Sequence, residues 1–202
     1  MLERLNQTIF IWVNANPHSL HFIIILATYL AQYLILVIPL IFSILWFWGS
    51  QDCITVQRKL VLKTVIAIII SLLITYSIRK LFPHERPFTI GLGYVFLKHS
   101  KSNSFPSNHG TIIFACAIAF IFWHRIWSGI IMFFIGIVIA WSRIYLGLHW
   151  PLDMLSALLS SSIGCISSQY IWHICGKKIF QFFSSIYRYC LAFPIRKGWI
   201  RY

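Results

Sequence analysis

Acidic side chains are scarce in this chain: Glu3, Asp52, Glu85 and Asp153 are the four among 202 residues. Charged residues of both signs reach 10%, where a soluble domain carries roughly a quarter. That shortage excludes an ordinary water-facing globular surface. It also weighs against a two-metal hydrolytic centre, which leans on several carboxylates. No C-x-x-C pair occurs. Cys53, Cys116, Cys165, Cys175 and Cys190 are scattered, mostly in apolar runs, where a thiol behaves as a small hydrophobe. The chain shows no internal repeat and no low-complexity segment. Its first residues lack a cleavable-signal pattern, because the first strong apolar run is too long for one.

What is present is apolar surface. Hydrophobic residues make up 59% of the chain and mean hydropathy is +0.78. The excess comes in long runs, so the expectation is an integral membrane protein with one domain over 1–202. The runs predict an all-α, polytopic helix bundle of about five spans: 20–48, 60–78, 107–123, 129–147 and 151–174. Residues 5–15 cluster their apolar side chains on one face and predict a short interfacial helix, ended at Asn16-Pro17. Pro39 is expected to kink the first span. Whether 20–48 crosses once or turns back as a hairpin stays open at this level. Residues 49–59 read as a polar loop, 79–106 as a long loop, and 176–202 as a tail holding Lys177, Lys178, Arg188, Arg196, Lys197 and Arg201 with no acid.

The formal charge of +13 fits positive loops and anionic headgroups better than nucleic acid. The acid-free tail belongs in the cytoplasm by the positive-inside rule. An odd number of spans then puts 79–106 and 147–152 on the outer face. That outer loop is itself basic, against the rule, and an anionic ligand accounts for its Arg79, Lys80 and Arg86.

Three polar clusters share that face: Arg79-Lys80-Leu81-Phe82-Pro83-His84-Glu85-Arg86-Pro87, Ser104-Phe105-Pro106-Ser107-Asn108-His109-Gly110, and Ser142-Arg143 with His149 and Asp153. Such groups are costly near a bilayer unless paired or hydrated. Asp153 can accept from Nδ1–H of His149 and leave Nε2 free as nucleophile or base. Equally, Asp153 can be a plain helix-capping carboxylate beside a histidine with a local bond. Ser107 after Pro106 reads as an N-cap, and the amides that follow form an anion site. His109, one turn in, can protonate a leaving oxygen. Arg86 and Arg143 each offer a two-pronged fork to phosphate oxygens, with Arg79 or Lys80 as a further charge. Interfacial arginines also snorkel to headgroups, which explains one of them but not the set. Together the parts fit phosphoryl transfer through phospho-His149, without metal or cofactor. A zinc site made of His84, His109 and His149 is the metal-bearing alternative.

These clusters resemble the signature of the type 2 phosphatidic acid phosphatase superfamily: Lys-x6-Arg-Pro, Pro-Ser-Gly-His, and Ser-Arg-x5-His-x3-Asp. Arg86-Pro87, Pro106-Ser107, His109, Ser142-Arg143, His149 and Asp153 match it. The resemblance implies His149 as nucleophile, Asp153 as its orienter and His109 as acid, with Arg86, Arg143 and Ser107 on phosphate and no metal. Arg79 stands at the family's lysine position, Lys80 falls one residue late, and Asn108 replaces the motif glycine while keeping its N–H. Phe82 to Phe88, Ala140 to Gly147 and Pro194 to Trp199 are similar to the bacterial undecaprenyl-diphosphatases linked to bacitracin resistance. That branch implies a periplasm-facing active site in the bacterial inner membrane, a polyprenyl diphosphate substrate and recycling of the peptidoglycan carrier lipid. Phosphatidic acid, phosphatidylglycerophosphate or lipid A as substrate or acceptor, and a non-catalytic transporter of anionic lipid, are the readings to separate from it. The paucity of carboxylates predicts that excess EDTA changes phosphate release by less than about twofold, whereas a loss above about tenfold that zinc restores would indicate the three-histidine site.

Overall fold

The computed structural model describes residues 1–48 and 53–200. Positions 49–52 of the expected polar loop and Arg201 of the expected tail lie outside them. The described residues are helical and loop, in the order α1 (Leu2–Val13), α2 (His21–Tyr33), α3 (Val37–Phe47), α4 (Ile54–Leu81), α5 (Asn108–Trp123), α6 (Ile126–Tyr145), α7 (Pro151–Cys190) and α8 (Ala192–Arg196). Among the described residues three helical stretches are long and apolar enough to cross a membrane: His21–Phe47, Ile54–Leu81 and Ile126–Tyr145. α5 is apolar but shorter, and α7 is long but carries too many serines and other polar residues to stand beside them.

His21–Phe47 counts as one stretch broken by a 3-10 turn at Leu34–Leu36. The break falls one turn before Pro39 for a physical reason. A helical proline has no N–H for the carbonyl four residues back, and its ring crowds that carbonyl. The residue four back is Ile35, inside the turn. α2 packs on α6 while α3 packs on α4, so the two halves run on instead of folding into a hairpin.

α5 is the hub and packs on α4, α6 and α7. Nearly every face of it is covered: Ile113, Phe114, Ala115, Cys116, Ala117, Ala119 and Phe120 are all buried. Ile113 and Phe114 meet Met132 and Ile139 of α6 and Ala157 of α7. Where α4, α5 and α7 approach closely the contacts are small: Ala67, Ala115, Ala119 and Cys165. Without a hydrophobic driving force in lipid, small residues and side-chain hydroxyls hold helices together. Here Ser161 Oγ donates to the Thr111 carbonyl at 2.8 Å and Ser168 Oγ to the Lys63 carbonyl at 2.7 Å, while the hydroxyls of Thr75 and Thr111 stand 3.0 Å apart. Two serines of α7 are thus turned inward onto neighbouring backbone. All five cysteines are free thiols.

Two expectations change. The fifth helix does not stop at 174 but runs to Cys190, and at ~1.5 Å per residue its length is about 60 Å, twice a hydrocarbon core. The first part of the expected tail is therefore helix. Its far end is pinned, with the Arg58 guanidinium 4.3 Å over the Tyr187 ring and 5.7 Å over Trp46. Arg58 and Lys59 belong to α4, not to a loop. Second, α1 is docked as well as amphipathic. Leu2, Leu5, Ile9, Ile11 and Trp12 are exposed, but Phe10 is buried against Trp150 with ring centroids 5.0 Å apart, and buried Asn6 accepts from the Leu152 amide at 3.1 Å.

Gly164 shows how tight the α4–α7 seam is, because a Cβ there would collide with Ser71 Oγ and press on the Ala67 carbonyl. Gly164→Leu is expected to destabilise the bundle by about 1–3 kcal/mol, as overpacking does. A thermal unfolding midpoint in detergent equal to that of the parent protein would contradict this seam.

Candidate active site

One end of the bundle gathers the polar clusters. Ser107 caps α5, its Oγ accepting from the Gly110 amide at 3.3 Å, as the Pro-Ser-Asn start predicts. Its own amide donates to the Asp153 carbonyl at 3.2 Å, which ties the start of α5 to the start of α7. Pro151 opens α7 with the fixed φ a first helical turn wants. Asp153, in that turn, is fully buried. Its Oδ2 accepts from His149 Nδ1 at 2.9 Å and from the Trp150 amide at 2.9 Å, and its Oδ1 from Ser104 Oγ at 3.4 Å. Capping carboxylate and histidine orienter, two readings of the sequence, are one residue doing both.

The tautomer of His149 follows from its partners. Asp153 accepts from Nδ1–H, and Nε2 lies 3.2 Å from Arg86 Nη1, a group that only donates. Nε2 therefore carries the lone pair. The ring is 3% exposed, so water does not compete for it. Burial first, and then the positive charges of Arg143 and Arg86, hold the imidazole well below its ordinary value near 6.5. It is a neutral imidazole.

Arg86 is anchored before any ligand arrives. Nε donates to the Ser102 carbonyl and Nη1 to the Leu148 carbonyl, each at 2.8 Å. Burial pushes its guanidinium down to about 10, still fully charged at neutral pH. Arg143 reaches in from the last turn of α6. Its Nη1 donates to the Ala31 carbonyl at 3.0 Å and its Nη2 faces His99 Nε2 at 3.4 Å. Arg79 donates from Nη2 to the Pro106 carbonyl and to Asn108 Oδ1, both at 2.7 Å. The buried Nε groups of Arg143 and Arg79 have no protein acceptor. An unpaired buried donor costs about 1–3 kcal/mol, so these two leave the site open to an acceptor oxygen.

Most of the expected residues are thus brought together: His149, Asp153, Arg86, Arg143, Ser107, Asn108 and Arg79. His109 is half-buried in the first turn of α5, within electrostatic reach of His149. Lys80 differs. It is exposed, its Nζ 4.7 Å from the Tyr76 ring centroid on its own helix, so Arg79 is the cation turned toward the α5 start. One residue along a helix turns a side chain by about 100°, which separates the pair. His84 packs on Phe105 and Trp150 and lies 3.8 Å from Glu3. Among the described residues no three His, Cys, Asp or Glu side chains are grouped to share a metal ion, so His84, His109 and His149 do not form the zinc alternative.

Sequence reasoning overlooked His99 and the carbonyls that seat Arg86. The signal for His99 was present in Lys98-His99-Ser100-Lys101, a basic loop beside the first cluster. It also missed the clamp under that loop. Asn14 donates to the carbonyls of Tyr94 and Tyr145 at 2.9 and 3.0 Å and accepts from the Tyr94 amide at 2.7 Å. Gly147, at φ 78°, lies so close to the Tyr94 carbonyl that a Cβ would collide with it.

Comparison with known proteins gives consistent results. The family model described as the PAP2 superfamily matches residues 58–180. The putative undecaprenyl-diphosphatase YbjG of Escherichia coli K12 is 51% identical over 201 residues, covering 100% of both chains. The undecaprenyl-diphosphatase BcrC of Bacillus subtilis is 30% identical over 159 residues, covering 79% of this chain and 80% of that one. Among solved structures, Aquifex aeolicus LpxE superposes with a TM-score of 0.65 at 24% identity, over 82% of this chain and 95% of the other, a likeness of fold.

The depressed basicity of His149 has a sign for stability. The folded state resists protonating this ring while the unfolded chain takes the proton near pH 6.5. Its contribution is fully present above that value and is lost as pH falls from there through the folded value. The unfolding midpoint in detergent is expected to drop between about pH 7 and 5, and His149→Gln to flatten that drop. Superimposable pH curves for the two proteins would contradict a buried neutral imidazole.

Proposed function

Because this chain belongs to the PAP2 superfamily, we propose that it is an integral membrane phosphatase that hydrolyses undecaprenyl diphosphate to undecaprenyl phosphate and inorganic phosphate. The observation that carries the reading is the buried His149, with Nδ1 on a carboxylate and Nε2 on a donor-only guanidinium. The close similarity to YbjG along the whole chain supports the diphosphate substrate.

The terminal phosphate displaces the Arg86–His149 contact and takes the forks of Arg86 and Arg143, the unpaired Nε of Arg79 and the amides opening α5. Nε2 of His149 attacks phosphorus. The bridging P–O bond breaks, and the departing lipid monophosphate takes a proton from His109. Phospho-His149 is a cation at its ring, and its Nδ1–H stays on Asp153, which offsets the charge. His109, now neutral, takes a proton from water as that water attacks phosphorus. The P–N bond breaks, phosphate leaves, and His149 is neutral again. The cations do the electrostatic work in a site that excludes water, where each is worth far more than at a surface.

The membrane arrangement belongs to the same proposal. Five spans, counting the short α5 and the polar α7, follow α1 lying at the interface. The C-terminus is cytoplasmic and the active site faces the periplasm, within a single domain over 1–202. Supporting this, Arg58, Lys59 and Lys63 at the start of α4, Arg125 at the start of α6 and the basic end of α7 share one end of the bundle, opposite the catalytic cluster. A bacterial inner membrane and a role in carrier-lipid recycling for peptidoglycan fit the relatives.

His149→Ala is expected to lower phosphate release from purified undecaprenyl diphosphate by more than about a thousandfold, while the protein still inserts and elutes as the parent does. Near-normal turnover by that variant would overturn the mechanism. Wild-type protein that moves the lipid but liberates no phosphate would overturn the enzyme in favour of a transporter.

A further inference from the structure

The loop between α4 and α5 carries a histidine that the mechanism above does not use. His99 is half-buried over the site, its ring centroid 6.4 Å from that of His149. The loop is held on both sides of it. The Phe96 amide donates to the Leu146 carbonyl at 3.2 Å, and Arg86 Nε binds the Ser102 carbonyl. The stretch carrying His99 therefore shares one anchor, the Ser102 carbonyl, with Arg86.

Its hydrogen bonding is chemically informative. Arg143 Nη2 only donates, so His99 Nε2, at 3.4 Å, meets it with a lone pair. The Nδ1 proton then points to the Ser100 carbonyl at 3.3 Å. In this state His99 does for Arg143 what a phosphate oxygen would do. We infer that His99 is a further phosphate-binding residue: it accepts from Arg143 when no anion is bound, and becomes a protonated donor to the non-bridging phosphate oxygen that replaces it on Arg143. This rests on the proposed phosphatase reading and deepens it.

The electrostatics agree with the switch. The groups facing His99 are Arg86 from its own loop, Arg143 from α6, His109 from α5 and His149 from the turn before α7, with no carboxylate bonded to it. Burial, and then Arg86 and Arg143, hold His99 below its ordinary basicity. A phosphate dianion placed among them reverses the sign of that field. Binding then draws one proton from solvent onto Nε2, and that proton bridges to the phosphate. Affinity for the phosphate dianion must rise as pH falls, in step with the uptake. Phosphate release after hydrolysis is eased by losing the same proton.

The test uses full-length protein in detergent with inorganic phosphate as the probe, which needs no lipid. Calorimetric titration at about pH 7 in two buffers of different ionisation enthalpy measures proton uptake on binding. Wild type is expected to take up close to one proton more than His99→Gln, and His99→Gln to bind phosphate about tenfold more weakly, with an affinity that changes less with pH. His99→Lys, permanently charged, is expected to restore affinity but not the uptake. For turnover, His99→Gln is expected to raise KM far more than it lowers kcat. Equal proton uptake and equal phosphate affinity in wild type and His99→Gln would overturn the inference. So would loss of affinity that His99→Lys does not restore, since that is the signature of a loop that has merely come loose. If instead the enzyme reading fails, wild type binds phosphate with this pH dependence yet releases none from the lipid, a separate outcome that leaves the His99 site standing as a phosphate-binding site.

Discussion

A single buried carboxylate governs the catalytic end of this protein. Asp153 receives the Nδ1 proton of His149, the amide of Trp150 and the hydroxyl of Ser104, while its backbone carbonyl receives the amide of Ser107. One residue therefore starts α7, fixes the tautomer of His149 and joins the loop before α5 to the cap of α5. With Glu85 it is one of two acids in the polar clusters, and it balances a crowd of guanidinium groups. Removing its charge would leave those cations buried against one another, which is far costlier than losing a surface pair.

The rest of the architecture reads as support for that arrangement. α5 is covered on nearly every face, and its first turn carries the amides proposed to bind phosphate, which any tilt would move. Alanines and inward serines let α4 and α7 close on it. α1, outside the bundle by sequence, presses Phe10 onto Trp150 and Asn6 onto the first turn of α7, so it steadies the turn that carries His149. Asn14 and Gly147 clamp the loop that bears His99. The site is thus held by backbone-directed hydrogen bonds from several elements, the condition for donors to be in place before charge develops on phosphate.

Much of this could be read from the chain. The catalytic cluster is legible because its chemistry demands particular residue types close together in sequence: an aspartate four residues after a histidine across a proline turn, and a serine after a proline at a helix start. The membrane class follows from apolar runs alone. Other features were hidden for identifiable reasons. Serines in α7 lower its hydropathy, yet Ser161 and Ser168 bond to neighbouring carbonyls, and the helix runs on past 174, where hydropathy ends it. The break at Leu34–Leu36 is displaced by one turn from the proline that causes it. Arg79 and Lys80 are equivalent by charge, and only helix phase tells which one faces α5. His99 meets Arg143 across 44 positions from a loop with no periodicity, so no local pattern could place it.

The central claim is that the lone pair of His149 Nε2 makes a bond to phosphorus. The most direct measurement is a rapid mix of purified protein with substrate labelled in its terminal phosphate, quenched in alkali, where an N–P bond to histidine survives, and mapped by peptide. The account predicts label on the peptide holding His149, formed and lost at rates that match turnover. Label on any other residue, or turnover with no labelled protein at any time point, would contradict it.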